Sequence, residues 1–146
     1  MKKVLTIGFH MKSLRKFAEM LRGAAVDVVI DVRFNNTSQL AGYTKRDDLQ
    51  YILQLLGISY EHHLELAPTD ELFKAYRNYK NFDEYEQRFA ELIIERDMAS
   101  VGRQILDCYS RPCLLCAEET PEQCHRRLIA EEWERNIPDL EIEHLV

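Results

Sequence analysis

Residues 26–33 read VDVVIDVR, with Val or Ile at five of the eight positions. The run is too short for a helix, and β-branched side chains pack best on a pleated surface, so it reads as a strand that ends on Asp31-Val32-Arg33. Upstream, VLTIGF (residues 4–9) is a second apolar run, closed by Gly8 and Phe9. Between the two, Ser13 offers a helix cap, and Leu14, Phe17, Met20, Leu21 and Ala24 recur at helical spacing up to about Arg22-Gly23.

Downstream, NNTSQLAGY (residues 35–43) is polar and rich in turn formers, the composition of a long loop of the kind that carries function. Thr44 could cap a helix whose apolar face is Leu49, Ile52, Leu53 and Leu56, with Gly57 at its stop. ISYEHHLEL (residues 58–66) reads as a short strand and its exit. Aromatic and aliphatic spacing predicts helices from Asp70 to Tyr79 and from Asp83 to about Met98.

RPCLLCA (residues 111–117) reads as a core strand and TPEQCHRRLIAEEWERN (residues 120–136) as a helix, with Thr120 and Gln123 as a capping box and Pro121 at its first position. LEIEHLV (residues 140–146) gives a last strand. Strands alternating with helices require right-handed crossovers. The expected architecture is one α/β domain over residues 1–146, three-layer-like, with a mainly parallel sheet flanked by helices.

The totals agree with a globular chain that needs no metal or disulfide to fold: 146 residues, 46% apolar, 30% charged. A formal charge of −6 argues against wrapping nucleic acid, because that affinity comes from Lys and Arg displacing counterions. The start MKKVLTIGFH has only a short apolar run broken by Gly8 and His10, which supports neither an export signal nor a membrane span. The expected location is cytoplasmic, with the four cysteines as reduced thiols.

Ligands of open α/β sheets bind beyond the carboxyl ends of the strands. Three strand exits carry polar or reactive groups: Gly8-Phe9-His10, Asp31-Val32-Arg33 and Cys116-Ala117-Glu118. Parallel strands would place all three on one edge. Cys113, Cys116, Cys124 and His125 together offer four ligands to zinc, but positions three apart on a strand point to opposite faces, so Cys113 and Cys116 should diverge. The reading is no metal, with Cys113 and Cys108 as core packing.

Cys116, near a helix start, is either a small buried hydrophobe or a thiolate nucleophile. His125 falls between Leu128 and Ile129 on the apolar arc of the last helix, with Cys124 on the same side. It is either a buried histidine bonded to backbone or a general acid or base. Arg126 projects close to Trp133. Arg33 at a strand exit suits bidentate binding of a carboxylate or phosphate, or else an ion pair with Asp31 or Glu118. His62 and His63, adjacent in an extended segment, should diverge to surface or loop positions.

The segments VLTIGF…SLRKFAEML, VDVVIDVRF, GISYEHHLEL and above all LLCAEETPEQCHRRLIAE resemble, in order and spacing, the family known as domain of unknown function 488. The resemblance implies a small α/β domain, and marks Asp31, Arg33, Cys116, Glu118, Cys124, His125 and Arg126 as the residues that characterise the family. Many members carry histidine directly after the TIG glycine; here that place is Phe9, with His10 one position later.

These readings converge on an enzyme that acts on a small anionic or nucleotide-like substrate at the carboxyl edge of the sheet, of hydrolase or transferase type with its reaction class open. Cys116, Glu118, Cys124 and His125 are the expected reactive set, and His10, Asp31, Arg33 and Arg126 the expected anion-binding set. No cofactor is specified. The alternatives are a non-catalytic ligand-sensing or protein-binding module and a nucleic-acid-associated role.

Overall fold

The computed structural model describes residues 2–37, 42–118 and 121–146. Its elements are β1 (Lys2–Gly8), α1 (Leu14–Gly23), β2 (Val28–Asp31), α2 (Arg46–Leu55), β3 (Ser59–His62), α3 (Asp70–Tyr79), α4 (Phe82–Glu95), α5 (Met98–Cys108), β4 (Pro112–Cys116), α6 (His125–Asn136) and β5 (Leu140–Leu145). The strands form one five-stranded sheet in the order β3-β2-β4-β1-β5. Every pairing is parallel, so the expected α/β architecture is the observed one.

Alternation along the strands feeds two cores. Leu5, Ile7, Val29, Cys113 and Leu115 face α1 and α2, where Phe17, Leu21, Leu49 and Leu53 are fully buried. Val4, Val28, Ile30, Leu114 and Cys116 face the other layer, where Phe89, Met98, Leu128 and Trp133 pack. Cys113 and Cys116 therefore serve opposite faces of β4, as period-two geometry requires.

Local chemistry sets the element ends. Ser13 caps α1 by accepting from the Lys16 amide, and Gly57 leaves α2 at φ +75°, where a side chain would be strained. Lys80 ends α3 in the left-handed region and Asn81 caps α4 through the Glu84 amide. No helix among the described residues is long and apolar enough to cross a membrane.

Three expectations are corrected, and one helix is added. Thr44 lies in a 3-10 turn, and Lys45, not Thr44, is the capping position of α2. The helix expected from Asp83 to about Met98 stops at Glu95, because Asp97 turns left-handed (φ 48°), and α5 follows. That helix was not anticipated; its buried stripe is Met98, Ala99, Gly102, Ile105 and Leu106. Cys108 is exposed at its end rather than packed in the core.

The last helix also starts later than its sequence implies. Residues 121–124 form a turn and Cys124, not Thr120, is the capping position of α6. Thr120, half of the expected capping box, lies outside the described residues, as do parts of the 35–43 loop.

Candidate functional site

The registers bring three strand ends together. Gly8 pairs with Cys116, and Asp31 with Leu115. The chain leaving β4 then folds back over β1: His10 donates its amide to the Ala117 carbonyl at 2.9 Å, and the Glu118 carbonyl lies against Gly8. Only a residue without a side chain fits beneath it, since a Cβ on Gly8 would stand 1.4 Å from that oxygen.

Arg126 holds this loop in place. It is wholly buried, and its Nη1 donates to the Glu118 carbonyl at 2.7 Å and to Cys116 Sγ at 3.1 Å. Burial lowers its pKa to about 10, which leaves the guanidinium charged at neutral pH. Arg126, expected to meet a ligand's negative charge, lies outside the cavity lining, and its Nη1 serves the loop and the Cys116 sulfur.

On the other side of β4, Asp31 is fully buried and gathers donors. Arg33 grips it as a fork, Nε to Oδ1 at 2.8 Å and Nη2 to Oδ2 at 2.7 Å, while the Tyr60 hydroxyl donates to Oδ2 at 2.6 Å and Asn36 Nδ2 at 3.3 Å. Burial alone would raise the Asp31 carboxyl, but the hydrogen bonds and charge of Arg33, helped by Tyr60, outweigh it and hold it below the usual carboxylate range. Arg33 is 5% exposed, lies over the Phe9 ring at 5.2 Å, and has no acceptor for its Nη1 among the described residues. Phe9 therefore supports the arginine at the exit of β1.

His125 opens α6 half-buried, with its Nε2 2.7 Å from the Val32 carbonyl. A carbonyl only accepts, so Nε2 carries the proton and Nδ1 keeps the free lone pair. Nδ1 faces Cys124 Sγ at 4.0 Å. Burial lowers the imidazole pKa to about 4, and the Val32 hydrogen bond only partly opposes this, so the ring is neutral at pH 7.

Cys116 at the end of β4 and Cys124 at the head of α6 meet sulfur to sulfur, with their Cα atoms 7.8 Å apart. The expectation of four separate thiols holds for Cys108 and Cys113 and is corrected for this pair, which the structure joins as a disulfide. Among the described residues, Cys116, Cys124 and His125 form a group whose ligand atoms all lie within 4.8 Å of one another.

A cavity of about 280 Å³ opens over these groups. Arg33, Cys116, Glu118, Cys124 and His125 line it, which unites five of the eight expected residues. Asp31 and Arg126 stand behind it as supports, and His10 is exposed and outside its lining.

Part of the remaining wall comes from positions that sequence reasoning treated only as helix faces. Phe73, Tyr76 and Arg77 come from α3 and Tyr85 from α4, with the Tyr76 and Tyr85 rings 4.9 Å apart. The available signal was the aromatic and cationic spacing on α3, three and four residues apart. His62 was also missed as a support: its Nε2 lies 2.9 Å from the Arg33 carbonyl. His63 turns away to Glu61 and Glu65, so the two adjacent histidines diverge.

No curated protein and no solved structure matches the chain significantly. One family model does, over residues 13–133, which includes α1, the Asp31–Arg33 exit, the α3 and α4 wall and the Cys116–Arg126 segment. By that match the chain belongs to the family described as domain of unknown function DUF488.

Proposed function

We propose that the chain is an enzyme acting on a small anionic substrate that carries a flat ring, held in the cavity at the carboxyl edge of the sheet. The observation that carries this reading is the Arg33 guanidinium. Its fork is fixed by Asp31, its Nη1 has no acceptor among the described residues, and it lines the cavity. A buried N–H that lacks an acceptor costs stability, and a carboxylate or phosphate oxygen would satisfy it.

The other walls fit the rest of such a molecule. Phe34, Phe73 and Tyr76 offer apolar ring surfaces and Arg77 a second cation. Cys116, Cys124, His125 and Glu118 form the reactive end, and Asp31, Tyr60 and Arg126 hold that geometry from behind. A nucleotide or sugar phosphate meets these requirements.

Arg33→Lys tests the reading, because it keeps a cation opposite Asp31 while removing the guanidinium fork. A nucleotide at a hundred times its Kd should raise the melting temperature of the native protein by roughly 8 °C. The shift should be lost in Arg33→Lys, and turnover should be lost in His125→Ala. Binding and turnover equal to wild type in both variants would sink the proposal.

A ligand-sensing module is the second reading, favoured by how completely Asp31 is satisfied within the protein. It shares the Arg33 dependence of binding and differs in showing no turnover.

A further inference from the structure

We infer that, once reduced, Cys116 Sγ, Cys124 Sγ and His125 Nδ1 form a three-ligand site for a borderline-soft divalent cation of the zinc class, with the fourth position open to the cavity. The geometric argument against zinc concerned Cys113 and Cys116, and the two faces of β4 do separate them. It does not apply to Cys116, Cys124 and His125, which the strand end and the head of α6 bring within 4.8 Å of one another.

Three further observations point the same way. The first is spacing. The Cα atoms of Cys116 and Cys124 stand 7.8 Å apart, wider than the span of about 4.4–6.8 Å at which disulfides are relaxed. Two thiolates on one tetrahedral ion, each about 2.3 Å from it, lie about 3.8 Å apart, so an interposed atom suits this wider backbone better than a direct bond.

The second observation is the histidine. Its Nε2–H is already given to the Val32 carbonyl at 2.7 Å, which turns the Nδ1 lone pair toward Cys124. Ligating histidines are ordinarily oriented by such a bond from their other nitrogen. The third is Arg126, whose buried Nη1 donates to Cys116 Sγ at 3.1 Å and offsets part of the charge that two thiolates bring.

The chemistry balances in two steps. Two equivalents of a small thiol, the first through a mixed disulfide, supply the two electrons and two protons that open the Cys116–Cys124 bond, and leave joined to each other as a disulfide. The cation then takes both sulfurs and the imidazole, and the two thiol protons pass to solvent. Two sulfurs and one nitrogen select a zinc-like ion over magnesium or calcium, which prefer oxygen.

All three ligands line the cavity, so an open fourth position would face whatever Arg33 holds. That last step rests on the cavity being a substrate site; the metal site itself does not.

Full-length protein, reduced and kept without oxygen, should be titrated with Co²⁺ and followed by absorption. The expected result is a thiolate-to-cobalt charge-transfer band together with the intense visible bands of a four-coordinate ion, both erased by equimolar Zn²⁺. Cys116→Ser, Cys124→Ser and His125→Ala should each weaken Co²⁺ binding at least tenfold, whereas Cys108→Ser, at an exposed site, should leave it unchanged. Each variant is checked for native circular dichroism before titration.

The proposal is overturned if reduced, folded wild-type protein shows neither band, or if the bands survive in the Cys124→Ser/His125→Ala double variant. Arg33→Lys separates the two proposals, because it should abolish nucleotide binding and leave the cobalt spectrum intact. A spectrum present with no nucleotide binding in wild type would remove the substrate reading alone.

Discussion

The carbonyl oxygen of Glu118 lies so close over Gly8 that a methyl group on that glycine would be 1.4 Å from it and 2.9 Å from Arg126 Nη1. The loop after β4 can reach the cavity only because β1 ends without a side chain. Gly8→Ala should therefore cost about 2–3 kcal/mol of stability and displace Glu118 from the cavity wall, as read by urea denaturation. Gly23→Ala is the control: a Cβ there meets nothing within 4 Å, at the end of α1, and should be neutral or slightly stabilising.

The buried Asp31–Arg33 pair predicts a specific acid sensitivity. The Asp31 carboxyl titrates lower in the folded chain than in the unfolded one, so the unfolded state binds more protons between the two values. The pair's stabilisation is complete above about pH 4, near the unfolded value, and is lost as pH falls through the folded one. Asp31→Asn should flatten this acid limb and lower stability at pH 7 by about 3 kcal/mol, because it leaves a buried guanidinium without its counter-charge. A limb as steep as in wild type would count against the assignment.

Tyr60→Phe removes one donor from the same carboxylate and one acceptor from Asn36. Stability at neutral pH should drop by about 1–1.5 kcal/mol. The acid limb should also move to higher pH, since Asp31 loses one of the groups that hold it low. Melting curves taken across pH 3–7 would show both effects.

Trp133 is the only tryptophan in the chain and rests on Gly102 of α5, with its Nε1 donating to the Met98 carbonyl at 2.9 Å. A Cβ on Gly102 would approach the indole to 2.6 Å, so Gly102→Ala should push α5 away from α6 at a cost of about 1–3 kcal/mol. Tryptophan emission should shift to the red as the ring is loosened. An unchanged spectrum and melting temperature would mean that the two helices have slack that the packing does not show.

The parts of this architecture that follow short periodicities were legible from the residues. VDVVIDVR and RPCLLCA form adjacent parallel strands, and Asp70–Tyr79 forms the helix its spacing requires. Chain features governed by single backbone turns were not: the left-handed Asp97 ends α4 at Glu95 and leads into α5, and the turn at 121–124 moves the start of α6 to His125. The meeting of Cys116 with Cys124 crosses that turn, where no period relates the two positions. Helical spacing related Arg126 only to Trp133, and the reach of its side chain back to the Glu118 carbonyl depends on a tertiary contact that spacing does not encode.

The strand order has a consequence in time. As the chain is made from its amino end, β2 and β3 can pair as soon as both exist, whereas β1 is separated from β2 by β4 and has only β4 and β5 as neighbours. This early strand, buried from Val4 to Gly8, must therefore wait without a partner through the synthesis of five helices, α1 to α5. Such pairing of distant segments is slow and leaves strand edges open to other chains meanwhile. The arrival of β4 joins the two halves of the sheet, and the same strand brings Cys116 to the cavity, so the molecule cannot assemble its reactive edge before β1 has found its partner.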